Sequence, residues 1–252
     1  MASISTTQFW WQYTSPNALP SLQVWYYAND GLQFNKTSTP LANNTNITSW
    51  QNAGGLTSHD WNSTGGKRPT FFTPVKNGLG AARFSPAATS SLTINPVAYM
   101  QSLSAVTMAI LFRSSNTSAG TRILSTTNTN GFRWGQNGTQ WIGGFSGATF
   151  TVDTKVVDTN WHNIIIKFDG SQSNNSTRLT SKLDGNDLSL TFTGTVANTT
   201  SASESTFYGG VDSTGNSNYW DGDIGELMFW TRALTSGEIT TVKNYLSTKW
   251  AL

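Results

Sequence analysis

Residues 221–239 read "DGDIGELMFWTRALTSGEI". Three carboxylates, Asp221, Asp223 and Glu226, lead into the apolar run Leu227 to Trp230, which breaks abruptly into a helix start. Thr235 and Glu238 have the spacing of a capping box, in which each side chain satisfies a backbone N–H of the other. Ile239, Val242, Leu246 and Trp250 then recur at near-helical spacing, with Tyr245 alongside. This pattern predicts one short helix with a flank against a sheet. The stretch is therefore either an acidic cluster placed for chemistry or the closing hem of a β fold.

Working outward, period-2 alternation dominates. In "DLSLTFTG", Leu188, Leu190 and Phe192 point one way; in "NIIIKFDG", Ile164, Ile166 and Phe168 oppose Ile165 and Lys167; "TFTVDT" puts Phe150 and Val152 together. Each predicts a strand with one face in a core. "AVTMAILFR" is apolar on both faces and predicts a central strand covered on both sides. Turn chemistry such as "NTNG", "DGND" and "STGNSN" separates about thirteen expected strands. That count suits two large antiparallel sheets packed face to face. We expect an all-β, two-sheet antiparallel jelly-roll sandwich with one short C-terminal helix. Residues 1–20 are expected to form an N-terminal arm for attachment or assembly, and residues 21–252 the sandwich domain.

Composition narrows the partners. Only 11% of the 252 residues are charged, against about 25% in an average globular protein. Asn, Ser, Thr and Gly supply the polarity instead. The formal net charge is +2 and Lys and Arg do not cluster, so nucleic acid and anionic membranes are not the expected partners. Cysteine is absent, which excludes disulfides and thiolate metal sites. No apolar run approaches the roughly 18 residues of a membrane span. The opening "MASISTTQFWWQYTSP" does not have the basic-then-apolar pattern of an export leader.

The order of these features resembles the concanavalin A-like jelly roll, in its laminin G-like and pentraxin-like branch. "DGDIGELMFWTRALTSGEI" is similar to that branch's closing stretch, and "YLSTKWAL" to the usual end of its single-domain versions. Upstream, "SLQVWYYANDGL", "SWQNAGG", "KRPTFF" and "GLGAARFS" resemble its successive opening elements. "WHNIIIKFDGS" and "SKLDGNDLSL" look like its Trp-His strand and Asp-Gly hairpin. The resemblance covers residues 22–252 and implies the fold. It leaves function open, because this superfold hosts lectins, glycosidases, adhesion modules and structural shells.

Four candidate sites follow. Retaining glycosidases need two carboxyl groups about 5–5.5 Å apart, and the laminarinase-like enzymes of this fold use a Glu-x-Asp-x-x-Glu strand. "DGDIGE" nearly matches that motif, but Glu226 falls on the opposite face from Asp221 and Asp223 unless Gly225 makes a bulge. The expectation is a turn aspartate pair and a structural Glu226, with no catalytic residue. Calcium is the one cofactor weighed, since Asn29 and Asp30, Asp184, Asn186 and Asp187, or Asp221 and Asp223 could donate oxygens; the same residues make ordinary tight turns, and no cofactor is expected. His59 and His162 are the only histidines, which leaves little for a zinc site or a serine triad. Glycan binding is assigned to Trp134, Trp141, Tyr219 and Trp220, which sit beside Asn- and Gln-rich turns where flat rings can meet sugar C–H faces. The competing reading places such large aromatics in the core, and the loop residue Trp61 shares that ambiguity.

Phe9, Trp10, Trp11 and Tyr13 precede the fold proper, and an exposed aromatic run of that size needs cover. They are the expected assembly residues, packing across the sandwich or into another subunit. Together these features predict a non-enzymatic virion surface protein, a capsid decoration or fibre module of a phage. Its sandwich would adhere to cell-surface glycan, and its arm would bind other virion proteins or copies of itself. Such a protein would be made in the host cytoplasm without a signal peptide. The alternatives are a laminarinase-like glycoside hydrolase acting through Asp221, Asp223 and Glu226, and a secreted calcium-dependent lectin.

Overall fold

The alternating runs pair edge to edge into two antiparallel sheets in the computed structural model, which describes residues 15–55, 59–63, 65–127 and 131–252. The assembly-arm residues Phe9, Trp10, Trp11 and Tyr13 lie outside the described residues. In chain order the strands begin with β1 (Leu22–Tyr27), β2 (Thr45–Asn46), β3 (Ser49–Trp50), β4 (Trp61–Asn62), β5 (Thr70–Lys76) and β6 (Leu79–Phe84). They continue with β7 (Leu92–Ile94), β8 (Ala105–Ser114), β9 (Thr121–Thr126), β10 (Arg133–Asn137), β11 (Gln140–Phe145) and β12 (Ala148–Val156). The last are β13 (Trp161–Asp169), β14 (Leu179–Leu183), β15 (Asn186–Asp187), β16 (Leu190–Thr193), β17 (Phe207–Gly209) and β18 (Gly222–Trp230). A one-turn helix, α1 (Asn175–Arg178), precedes β14, and the predicted closing helix is α2 (Ser236–Trp250).

The first sheet runs β15-β14-β13-β8-β18-β6-β5-β2, with β1 also paired to β18; the second runs β16-β12-β11-β10-β9-β17-β7-β4-β3. The described strands outnumber the expected thirteen mainly because β2, β3, β4 and β15 are two-residue ladders, too short for a period to show. The strand β8 is central, as its two apolar faces predicted. Met108, Ile110 and Phe112 face the second sheet, while Ala109 and Leu111 face α2. Between the sheets lies the main core, where Ile164, Ile166, Ile224, Leu227 and Phe229 meet Leu124, Trp134, Phe150 and Phe207.

Helix α2 starts where the sequence placed it. Thr235 accepts from the Glu238 N–H, and Glu238 accepts from the Thr235 N–H at 2.8 Å. Arg232 grips the same carboxylate with both Nη nitrogens, and these hydrogen bonds, with the Thr235 N–H, hold the Glu238 acid down at about 2. Ile239, Val242, Leu246 and Trp250 bury their side chains against Leu111, Ile165, Met228 and Trp230 on the outer face of the first sheet.

One residue sets the register of β18 against this helix. Opposite consecutive Phe112 and Leu111 stand Ile224 and Glu226, so Gly225 is an extra, bulged residue. A side chain at 225 has no room: its Cβ would lie 2.6 Å from the Trp250 ring and 2.8 Å from Leu111. At Gly237, in the first turn of α2, a Cβ would meet nothing within 4 Å. Gly225→Ala is expected to cost about 1–3 kcal/mol through overpacking, while Gly237→Ala should stabilise by about 0.4–1 kcal/mol by restricting the unfolded chain. Urea unfolding of the two variants checks both signs.

Candidate functional site

The acidic strand resolves into two buried, ion-paired carboxylates. Because of the bulge, Asp223 and Glu226 do share a face of β18, the condition under which the hydrolase motif would be met. That face is the covered one. Asp223 is fully buried, takes Arg83 Nε at 2.8 Å and Nη2 at 3.2 Å, and also binds Arg113. Arg83 lies 3.9 Å over the Phe72 ring, and Arg113 sits over Trp161. Glu226, also fully buried, accepts from the indole N–H groups of Trp250 at 2.9 Å and Trp25 at 3.1 Å, and from the Tyr245 hydroxyl at 3.3 Å. Lys249 of α2 completes the pair with Glu226. Burial pulls the Lys249 amine down and the adjacent Glu226 carboxylate opposes it, while burial pushes the Tyr245 phenol up.

Asp221 stays outside this network: its backbone carbonyl accepts from the Ser115 N–H at 2.8 Å, and its side chain is partly exposed. The three acids therefore do not converge on an open groove. The expected turn aspartate pair is corrected in one respect: Asp223 is a strand residue clamped by two arginines, because Gly222 already belongs to β18.

His162 is held between two carboxylates, with Nδ1 2.6 Å from Asp184 and Nε2 2.8 Å from Asp158. Asp184 also accepts from the Asn163 N–H, so the clamp ties the β14–β15 turn to β13. Burial works against the imidazolium, but the two carboxylates outweigh it and raise its pKa above 6.5. Of the other proposed calcium donors, Asp30 accepts from the Leu32 N–H and Asp187 pairs with Lys182 at 2.6 Å, while the Asn29 side-chain oxygen is buried without a hydrogen-bond partner. No group of three His, Asp or Glu side chains suited to a metal converges among the described residues.

The proposed glycan platform is corrected by burial. Trp134, Trp141 and Trp220 are all at 0% exposure in the main core, where Trp134 stacks on Trp141 with centroids 5.9 Å apart and Phe112 meets both Trp141 and Trp220 edge-on. Their rings fill the space between the sheets and offer no face to a sugar. Trp61 is likewise core, in β4, stacked on Tyr26 at 5.0 Å. Of the four candidates only Tyr219 reaches the surface, partly exposed, with Lys67 5.7 Å above its ring.

What the sequence did not reveal is the outer face of the second sheet. Cross-strand register places Asn62, Thr93, Tyr208, Ser125, Arg133, Gly144, Thr149 and Thr193 in one row across eight strands. Their chain neighbours Trp61, Phe207, Leu124, Trp134 and Phe150 point into the core, so this row points out. It contains hydroxyls, an amide, a phenol and a guanidinium, and no aliphatic side chain. A bulge between Trp134 and Gly135 in the pairing with β9 turns both Ile123 and Leu124 inward and leaves Arg122 outward beside Arg133. The loop of residues 211–218 curls over this row, since Ser125 Oγ donates to the Val211 carbonyl and Gly215 packs on the Tyr208 ring. A cleft of about 80 Å³ remains under it, lined by Arg122, Arg133, Ser125, Asp212 and Asn218.

A family model described as the concanavalin A-like lectin/glucanases superfamily matches residues 85–240, from the strand β7 side of the core through the start of α2. The chain belongs to the concanavalin A-like lectin/glucanase superfamily. No curated protein sequence matches it. Among solved structures, this superfamily member is similar to Trypanosoma rangeli sialidase at 15% identity and a TM-score of 0.57, over 91% of this chain and 33% of that one. It thus spans about a third of the sialidase. It is also similar to domain 4 of AbnA, a GH43 extracellular arabinanase from Geobacillus stearothermophilus, in complex with arabinotriose, at 15% identity and a TM-score of 0.54, over 89% of this chain and 98% of that one. The botulinum neurotoxin serotype C1 binding domain aligns at 11% identity and a TM-score of 0.50, over 80% of this chain and 52% of that one. At these identities the likeness is one of fold. No helix among the described residues is long and apolar enough to cross a membrane.

Two outcomes test the buried charges. Lys249→Met should cost about 3–5 kcal/mol, since it leaves the Glu226 carboxylate buried without its cation; adding Glu226→Gln should recover part of that loss in a double-mutant cycle by urea unfolding. The His162 clamp has a raised folded pKa, so its stabilisation is fully present below pH 6.5 and is lost as pH rises through the folded value. The stability gap between wild type and His162→Gln should accordingly shrink as the pH is taken upward.

Proposed function

We propose that this protein is a non-enzymatic glycan-binding module displayed on a virion surface. One observation carries the binding assignment: no helix covers the polar row across the second sheet, which is exposed at Asn62, Thr149 and Thr193 on either side of the 211–218 loop, while helix α2 covers the corresponding face of the first. Sugars present hydroxyls and C–H faces together, and a band of hydroxyl, amide and phenol groups on a sheet is suited to both. Glu226 and Asp223 argue against hydrolysis. A general acid or nucleophile must reach the scissile bond, and here both carboxylates are enclosed and fully hydrogen-bonded. The arabinotriose seen with domain 4 of AbnA supports a carbohydrate ligand by analogy of fold.

The virion setting rests on sequence features: no cysteine, a charge-poor surface rich in Asn, Ser and Thr, and an aromatic run from Phe9 to Tyr13 suited to docking on other virion proteins or a second copy. The reading includes synthesis in the host cytoplasm followed by assembly on the particle. A glycan array probed with the isolated chain is expected to show saturable binding to a restricted set of saccharides, with no release of reducing sugar from β-glucans. Sugar release abolished by Glu226→Gln would overturn the non-enzymatic assignment. Mass spectrometry of purified particles is expected to find the chain as a stoichiometric component, and its absence there would remove the virion setting.

A further inference from the structure

We propose that the cleft between Arg122, Arg133 and the 211–218 loop receives the anionic group, carboxylate or sulfate, of an acidic saccharide. The inference rests on the glycan-binding reading and specifies the ligand class at the same face. Two guanidinium groups sit side by side here, and neither forms an ion pair among the described residues. Arg122 uses one nitrogen on backbone carbonyls, those of Thr121 at 3.0 Å and Gln136 at 3.3 Å. The Arg133 side chain makes no hydrogen bond and no ion pair among the described residues, although its neighbours in the row are satisfied or small.

The nearby acid does not fill that role. Asp212 has its two oxygens occupied by its own loop: the Thr214 N–H at 3.1 Å and hydroxyl at 2.7 Å on one, and Asn218 Nδ2 at 3.1 Å with the Ser217 hydroxyl on the other. It is a brace for the loop, and neither arginine lies within ion-pair distance of it. Burial, then the charge of Arg133, pulls the Arg122 pKa down, with Asp212 only partly opposing. A bound anion would offset the repulsion between the two guanidinium groups. Guanidinium groups bind planar oxyanions through paired N–H donors, which makes carboxylate and sulfate the fitting groups.

Local sequence prepares the pair. Gly144 stands opposite Arg133, and a Cβ there would fall 2.5 Å from Arg133 Nε, so the glycine provides the bed on which that side chain lies. Gly135 does the same for the bulged crossing at Arg122, where a Cβ would meet the Thr121 carbonyl at 2.1 Å. The cleft, at about 80 Å³, accommodates an acidic substituent and not a whole sugar ring. The ring itself would lie along the outward threonines and Tyr208.

The test is an array of uronate-bearing, sulfated and neutral oligosaccharides probed with the full chain, followed by titration calorimetry of the strongest binder. Acidic saccharides are expected to bind, with uronate-only or sulfate-only hits identifying which oxyanion is held. Arg133→Gln should weaken that binding on the order of 10-fold to 100-fold, as loss of a charge-assisted bond predicts. Gly144→Ala should weaken it too while leaving the net charge unchanged, because it displaces the Arg133 side chain; melting curves of both variants confirm an intact fold. Binding confined to neutral saccharides, or acidic binding indifferent to both variants, would overturn the anion site and leave the glycan reading standing. Failure to bind any saccharide would remove both.

Discussion

The structure depends on a single extra residue, Gly225, in the strand that closes the sandwich. By displacing the alternation of β18 by one position, the bulge turns Glu226 to the same side as Asp223 and lets Leu227 and Phe229 keep facing inward. Glu226 then meets Lys249, Trp250 and Tyr245 of α2 and Trp25 of β1 at one point. Desolvating a carboxylate and an ammonium is costly, and the indole and phenol donors supply the extra hydrogen bonds that offset it. The consequence is positional: the helix can dock in one register only, because any other leaves a buried charge without a partner.

That docking gives the two sheets different surroundings. On the first sheet, α2 and the Asp223–arginine cluster cover the outer face with apolar and paired groups. On the second, no helix intervenes among the described residues, and the outward row is polar, covered by the 211–218 loop at Ser125 and exposed at Asn62, Thr149 and Thr193. The acidic residues of the family's closing strand lie on the covered side, whereas the unpaired cations Arg122 and Arg133 lie on the open one. A superfold that hosts both enzymes and binding modules is thereby specialised by which face carries buried acids and which carries free donors.

Two smaller devices close turns, one on each sheet. Asp212 folds the 211–218 loop around its own carboxylate, using hydroxyls and an amide in place of a metal. On the opposite sheet, the His162 clamp holds the β14–β15 turn to β13. Both are local polar closures, in keeping with a chain that has few charges and many hydroxyls.

The sequence by itself determined the fold class, the central covered strand and the capped helix. Those features are local: alternation in "NIIIKFDG", two apolar faces in "AVTMAILFR", and the Thr235–Glu238 spacing each report which groups need burial or a hydrogen-bond partner. It also posed the right alternative for Glu226, since parity forbids the shared face unless Gly225 bulges. The tertiary structure decided what alternation cannot encode. Trp134, Trp141 and Trp220 look the same in sequence whether they line a sugar site or a core, and only the distance between the sheets put them inside. The Arg122–Arg133 pair was invisible because a bulge in the β9–β10 pairing, together with small residues at 135 and 144 on neighbouring strands, brings the two side chains together. Which side of a strand faces solvent is set by what packs on it, and that is a property of the whole assembly of sheets and helix.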